Sequence, residues 1–211
     1  MTGTVNEWFI FENGAIDTKT CKKIRRWASK KWEVSAVDTS KGITDEERKS
    51  GRKGDYKPDP KTRISDIAWC NEQWLYDLLW PFMTYANDEA GWKYDIRGAE
   101  SCQITRYKKG GFYNFHKDGM GDHLSTHNYP GNDYLHNHVR KLSMSVILND
   151  NFDGGEFEFA SYGKEKCEIT PVKAMAGSVI VFPSSMEHRV APVIKGIRYS
   201  VVVWFLGPPF V

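Results

Sequence analysis

The sequence has no excess of either charge large enough to define a partner. Its 29 Lys and Arg against 27 Asp and Glu leave a net charge of +2, which gives no strong electrostatic case for nucleic acid, so no nucleic-acid partner is expected. No apolar run approaches the roughly 20 residues of a membrane span, so no membrane partner is expected. The four cysteines, Cys21, Cys70, Cys102 and Cys167, form no C-x-x-C pair. Their wide scatter favours reduced thiols in a cytosol-like compartment. Residues 1–11 lack a basic n-region and a long apolar stretch, so no signal peptide is read there. Internal repeats are missing, and no second domain is recognised. These absences lead to the expectation of a soluble, cytoplasmic protein.

What is present is an ordinary globular composition. Apolar residues make up 40% and charged residues 27% of 211, enough for one domain with a sizeable core and a helical flank. Aromatics, at 14%, run through the whole chain and suit a β-rich core with an aromatic-lined groove. Residues 8–11 read as a short strand. Residues 17–32 read as a helix capped by Asp17 or Thr18, with Cys21, Ile24, Trp27 and Ala28 at helical spacing. A second strand is expected at 32–37.

The pattern then fails. Residues 38–62 have almost no apolar side chains, several Gly and Pro, and mixed charges, so a mobile loop is expected there, either solvated surface or a cover for a substrate. Residues 63–70 alternate as a strand. Residues 71–90 form the best helix, with Trp74, Leu75, Leu78, Leu79, Phe82 and Met83 as its stripe and a kink or break expected at Pro81. After Gly91 come short β segments punctuated by Gly, Pro, Asn and Asp, at 99–107, 112–115, 142–148, 155–159, 167–170, 178–182, 189–190 and 198–205. Such strands indicate a sandwich or barrel. The fold class is therefore mainly β with flanking helices (α+β): a double-stranded jelly roll with two or three supporting helices. Residues 1–211 are taken as one domain, with 1–98 as a flank and 99–206 as the core.

The densest chemistry lies at 106–118, RYKKGGFYNFHKD, which ends in the H-x-D pair His116 and Asp118. Residues two apart on an extended backbone share a face, so both can grip one metal ion. His188 is the candidate third ligand. Two His and one carboxylate on one side of a metal, with other positions open, is the arrangement of non-haem Fe(II) oxygenases. Arg198 follows ten residues later inside an apolar strand, and a guanidinium there suits a dicarboxylate co-substrate. H-x-D alone is weak. The ordered set of H-x-D, strands, His and Arg is much stronger. The competing reading is a β-sandwich with surface histidines and no metal.

These residues resemble the Fe(II)- and 2-oxoglutarate-dependent dioxygenases, in their prolyl 4-hydroxylase-like branch. The likeness runs from about Arg63 to Phe205 and rests on YNFHKD at 113–118, RKLSMSVILN from Arg140, DGGEF at 153–157, GSVIVFP at 177–183 and HRVAPVIKGIRYSVVVW from His188. The resemblance implies that His116, Asp118 and His188 hold Fe(II). It implies that Arg198 binds the distal carboxylate of 2-oxoglutarate and that Tyr107 adds a hydroxyl to that pocket. Tyr113, Arg140 and Trp204 lie where relatives touch a peptide, although Tyr113 and Trp204 also read as core aromatics. Fe(II), 2-oxoglutarate and O2 are the implied cofactors, with ascorbate as reductant. The implied reaction is hydroxylation of a prolyl residue in a peptide or protein, as in a procollagen-proline 4-dioxygenase, with succinate and CO2 as co-products.

The departures are specific. Collagen-type relatives carry Lys where this chain has Arg198. A further hydroxyl that some relatives supply at the end of the strand from Arg140 is replaced here by apolar Val146, Ile147 and Leu148, leaving Ser143, Ser145 or Ser200 as substitutes. The stretch 119–138 holds His123, His127, His136 and His138 and reads either as a polar lid or as a second metal site. The alternatives for function are an oxygenase acting on a free amino acid, small metabolite or nucleobase, and a non-catalytic jelly-roll module with an incidental metal.

Overall fold

The computed structural model describes residues 6–12, 14–38, 56–119, 124–163 and 166–210. In chain order the elements are β1 (Phe9–Phe11), α1 (Thr18–Ala28), β2 (Glu33–Val34), β3 (Val37–Asp38), β4 (Tyr56–Lys57), β5 (Arg63–Ile64), β6 (Asp66–Cys70) and α2 (Gln73–Glu89). There follow β7 (Gly98–Ala99), β8 (Cys102–Tyr107), β9 (Phe112–His116), β10 (Val139–Ile147), β11 (Phe152–Gly154) and β12 (Phe157–Tyr162). The last are β13 (Cys167–Val172), β14 (Val179–Pro183), β15 (Glu187–Val190), β16 (Val193–Gly196) and β17 (Arg198–Gly207).

Two antiparallel sheets make the jelly roll that the strand pattern predicts. The larger runs β1-β14-β10-β17-β8-β6-β2, with β7 also on β17. The smaller runs β13-β12-β15-β9-β5. Strand parity then decides what each face of the larger sheet carries. Cys102 and Ile104 of β8, Leu142, Met144 and Val146 of β10, and Val201, Val203 and Phe205 of β17 point to one side. There they pack with Ile24 and Ala28 of α1 and with Leu75, Leu79, Met83 and Ala86 of α2. The intervening residues point to the smaller sheet, and many are polar: Gln103, Thr105, Ser143, Ser145, Arg198 and Ser200 are all buried. A compact apolar cluster of Tyr107, Phe157, Phe159, Ile180 and Phe182 closes one side of that interior. The jelly roll is thus apolar where it meets its helices and polar where it meets its second sheet.

One β-bulge alters the parity. The register of β10 on β17 shifts between Arg140 and Leu142, so Lys141 and Leu142 both turn outward. Arg140 joins Ser143 on the inner side, as its position over Trp204 confirms. Bulges re-aim side chains in this way.

Several local expectations change. The first helix is capped by Asp17, whose carboxylate accepts from the Thr20 N–H at 2.9 Å, and it ends at Ala28 rather than at 32. The second helix runs through Pro81 without a break. Its missing N–H costs one internal bond, while Leu75 and Leu79 before it and Met83 and Ala86 after it hold both halves on the sheet. Segment 63–70 is two strands, because the chain leaves the small sheet at Ser65 and enters the large one at Asp66. Segments 32–37 and 99–107 divide likewise, and β16 was not expected. Two helices are found among the described residues. Of the expected loop at 38–62, residues 39–55 lie outside the described residues; its ends meet where Val37 pairs with Lys57. No helix among the described residues is long and apolar enough to cross a membrane.

Candidate metal and co-substrate site

β9 and β15 are antiparallel neighbours in the smaller sheet, and their register places His116 directly opposite His188. Cross-strand partners lie about 5 Å apart at Cβ, so a single strand pairing brings together two imidazoles that are 72 residues apart in sequence. Asp118 follows β9, its N–H bonded to the Ser184 carbonyl at 3.0 Å. Its Oδ1 is 3.7 Å from His116 Nε2 and its Oδ2 is 3.6 Å from His188 Nε2. One donor atom from each residue lies within 4.8 Å of the others.

Each imidazole is held in the form a metal requires. His116 Nδ1 is 2.7 Å from the Asn114 carbonyl, and His188 Nδ1 is 2.9 Å from that of Met186. A carbonyl only accepts, so Nδ1 carries the proton and Nε2 presents its lone pair to the common point. Burial, helped by the neighbouring His188, pushes the His116 pKa down to about 3, so this ring is neutral at pH 7. Burial alone would raise Asp118, but His188, His116 and Arg140 hold its carboxyl below the usual range. Ser143 Oγ donates to Asp118 Oδ2 at 2.7 Å and lies 2.9 Å from Ser184 Oγ. Phe182 and Phe157 wall the His188 ring, with centroids at 4.7 and 5.4 Å.

Arg198 stands on the larger sheet, opposite Tyr107 of β8, and is 1% exposed. Its Nη1 donates to Ser200 Oγ at 3.0 Å, while its Nη2 is buried with no hydrogen-bond partner. No carboxylate among the described residues pairs with it. A buried guanidinium without an anion is costly, and a carboxylate from outside the chain would remove that cost. Gly155 makes room for the Arg198 side chain: at φ +68°, an added Cβ would lie 3.1 Å from Arg198 Cδ and 2.9 Å from a Val193 methyl. Of the three candidate serines, Ser200 is the one bonded to Arg198, and Ser143 serves Asp118.

The sequence profile of the 2OG-Fe(II) oxygenase superfamily matches residues 102–206, the stretch that contains all of these side chains. The chain belongs to the 2OG-Fe(II) oxygenase superfamily. Among curated relatives, the PKHD-type hydroxylase of Janthinobacterium sp. (strain Marseille) is 34% identical over 102 residues, covering 48% of this chain and 41% of that protein. PKHD-type hydroxylase XfasM23_1638 of Xylella fastidiosa (strain M23) is 34% identical over 106 residues, covering 48% and 42%. The chain thus spans about two-fifths of the length of the curated relatives it matches. Among solved structures, the viral collagen prolyl hydroxylase of Paramecium Bursaria Chlorella virus-1 superposes with a TM-score of 0.62 at 19% identity, over 97% of this chain and 99% of that one. A prolyl hydroxylase of Trichoplax adhaerens, in complex with a hypoxia inducible factor peptide fragment, gives 0.63 at 17% identity, over 95% and 84%. At these identities the likeness concerns the fold.

The three other residues singled out in the sequence also reach the interior. Tyr113 stacks on His116 with centroids 3.6 Å apart; burial, with Asp118 adding to it and Arg63 opposing, raises its phenol to about 12. Trp204 is 7% exposed, its Nε1 has no partner, and Arg140 lies 4.1 Å above its ring. Arg140 is more committed than expected. It grips Glu100 through both Nε and Nη2, the latter at 2.7 Å from Oε2.

Glu100 was missed in the sequence, as was Arg63. The Arg63 Nε donates to Ser65 Oγ at 2.8 Å, its guanidinium lies 4.6 Å from the Tyr113 ring centroid, and its Nη2 is buried without a partner. Partners 40 residues apart leave no local signal. His127 is 2% exposed and spends its ring on Glu100 Oε1 at 2.9 Å and the His138 carbonyl at 3.2 Å. It therefore anchors the 124–138 segment beside the site. The one group of potential metal ligands found among the described residues is His116, Asp118 and His188; His123 lies outside them.

The Glu100 cluster predicts a pH dependence. Burial opposes the carboxylate, but Arg140 and His127 outweigh it and bring its pKa from 4.5 down to about 2. A pKa lowered in the folded state stabilises fully above the unfolded value and is lost as pH falls through the folded one. A shift of this size corresponds to about 3 kcal/mol. The melting temperature of the native protein should therefore fall more steeply than that of Glu100→Gln between pH 4.5 and 2. Parallel curves would contradict the assignment.

Proposed function

We propose that the protein is an Fe(II)- and 2-oxoglutarate-dependent oxygenase that hydroxylates a prolyl residue in a peptide or protein, with 1–211 as a single domain around the 99–206 core. The observation that carries it is the convergence of His116, Asp118 and His188 on one point, with the Arg198 guanidinium, its Nη2 unpartnered, in the same interior. The donor set suits Fe(II): two neutral imidazoles and one carboxylate bind it and leave positions open. Bound together, Fe(II), 2-oxoglutarate and O2 supply the oxidant that turns a C–H into C–OH while 2-oxoglutarate becomes succinate and CO2; ascorbate would keep the iron reduced.

The chain's own residues position and exclude. Asn114 and Met186 carbonyls fix the two imidazoles, and Ser143 fixes the carboxylate. Arg198 would receive the distal carboxylate of 2-oxoglutarate as a bidentate partner, with Ser200 orienting the guanidinium and Tyr107 beside it. The phenylalanines around His188 keep water from that side. Arg140, held by Glu100 over Trp204, keeps one Nη1 N–H beyond the one directed at the Gly119 carbonyl at 3.5 Å, and Trp204 keeps its Nε1. These two N–H groups suit the carbonyls of an extended peptide, while the Tyr113 ring, stacked on His116 and with the Arg63 guanidinium over it, keeps its edge and hydroxyl for the substrate. The peptide complex of the Trichoplax adhaerens prolyl hydroxylase supports the same class of substrate.

A second reading has one observation in its favour. Arg63 is a further buried guanidinium with no carboxylate partner among the described residues, which would suit a small acidic metabolite. The two are separated by incubating the protein with Fe(II), ascorbate, 2-oxoglutarate and either proline-containing peptides or free acids and amino acids. Mass spectrometry should find a peptide product one oxygen atom heavier. Oxidation of free acids alone would replace the peptide reading by the metabolite one.

A further inference from the structure

The net charge of +2 hides a local concentration. Helix α1 carries Lys19, Lys22, Lys23, Arg25 and Arg26 and no acidic residue within its span. Lys19, Lys22, Lys23 and Arg26 stand at i, i+3, i+4 and i+7, so they form one stripe. The opposite stripe, Cys21, Ile24 and Ala28, is buried against the larger sheet. Solvated helix faces ordinarily mix both signs; within its span this one carries cations alone, the nearest acid being its N-cap Asp17. Among the described residues none of these cations makes an ion pair, whereas Arg106 and Lys108 nearby both pair with Asp66.

The stripe borders two clefts. One, of about 410 Å³, lies between Lys22, Arg25 and Arg26 on one side and Trp32, Arg106 and Tyr199 on the other. Arg25 Nε is buried at this place without a partner. The second, of about 800 Å³, runs along Lys19, Lys23 and the same Lys22 and Arg26, with the N-cap carboxylate of Asp17 at its end. Both lie on the helix side of the sheet. Tyr199 and Arg106 have the opposite parity to Arg198 and Tyr107, so the clefts are separated from the metal site by the sheet itself.

We propose that this face binds the phosphodiester backbone of a single-stranded nucleic acid. A row of guanidinium and ammonium groups along a helix matches a strand of regularly spaced phosphates, and guanidinium takes phosphate through two hydrogen bonds. Trp32 and Tyr199 place aromatic rings at the end of the row, with the Arg106 guanidinium 4.5 Å over the first and that of Arg25 5.5 Å over the second, the mixture of arginine and aromatic surface that single strands use. A membrane surface fits less well. A helix lying in a bilayer inserts an apolar face, and the apolar face of α1 is occupied by the sheet.

The test uses fluorescein-labelled dT15 and anisotropy on the full chain. Four phosphate contacts give a salt slope of about −2.8, so affinity should fall roughly 50-fold between 50 and 200 mM salt. The double variant Lys22→Glu/Arg26→Glu, both exposed, should lose at least tenfold in affinity while 2-oxoglutarate turnover is unchanged. The control Lys173→Glu/Lys195→Glu makes the same change in net charge at exposed positions off the helix and should bind dT15 as the native chain does. The proposal is overturned if dT15 does not bind the native chain, or if the helix variant binds it equally well. It is overturned equally if the control loses as much as the helix variant. Tighter binding of a polyglutamate peptide or of phosphatidylserine vesicles than of dT15, lost in the helix variant, would assign the face to an acidic protein or a membrane instead.

Discussion

Substitution of His188 by alanine should remove Fe(II) from the protein and abolish metal-dependent turnover. The imidazole is one of three donors, and its Nδ1 is already spent on the Met186 carbonyl, so no other nitrogen can rotate into its place. Loss of an outer partner of a metal ligand costs roughly 10–100-fold in affinity, and loss of the ligand itself should exceed that. His188 also packs between Phe157 and Phe182, so the alanine leaves a cavity. His188→Gln fills more of that space and separates lost packing from lost ligation: it should recover melting temperature without recovering metal. Metal content after dialysis against Fe(II) or Mn(II) measures the outcome. Full occupancy in His188→Ala would remove it from the ligand set.

The second large effect has opposite signs for binding and for stability. Arg198 is a fully buried cation whose charge is met by no carboxylate among the described residues. Burial lowers its pKa, with Tyr107 opposing. Removing the partner of a buried carboxylate costs about 3–5 kcal/mol, which corresponds to a rise of roughly 10² to 4 × 10³-fold in the KM for 2-oxoglutarate. In the absence of 2-oxoglutarate the same guanidinium is a burden, so Arg198→Met, similar in bulk and uncharged, should melt no lower than the native protein. The native protein should then gain more from added 2-oxoglutarate than the variant does. Iron binding should survive, because Arg198 lies on the other sheet from the three ligands. An unchanged KM would move the co-substrate site elsewhere.

The parts of this site that were legible in the sequence are those carried by local spacing. H-x-D on an extended chain puts two candidate ligands on one side, and the ten residues from His188 to Arg198 mark the second pair; that β16 intervenes and that the two stand on different sheets was not readable. The alternation in β8, β10 and β17 likewise exposes its apolar half in the composition of each strand. What was not legible depends on pairing at a distance. The bulge at Lys141 flips the parity of β10 and turns Arg140 inward, and nothing in RKLSMSVILN marks it. Ser65 does not announce a change of sheet. The cluster of Glu100, His127 and Arg140 joins three segments, so its members look like unrelated surface charges until the fold assembles them. In the second helix, tertiary packing on both sides of Pro81 overrides a local breaker. Charge was misleading in a different way: the total of +2 averages away the cationic stripe of α1.

The central claim is that one interior holds both Fe(II), through His116, Asp118 and His188, and 2-oxoglutarate, through Arg198. Its most direct test is anaerobic titration of the Fe(II)-loaded protein with 2-oxoglutarate, followed by visible absorption. Chelation of the 2-oxo acid by the protein-bound iron should produce a charge-transfer band that needs both components. The band should be absent in His188→Ala and should reach its native intensity in Arg198→Met only at much higher 2-oxoglutarate. A native protein that shows no band at saturating Fe(II) and 2-oxoglutarate, or an Arg198→Met variant that titrates at the native concentration, would contradict it.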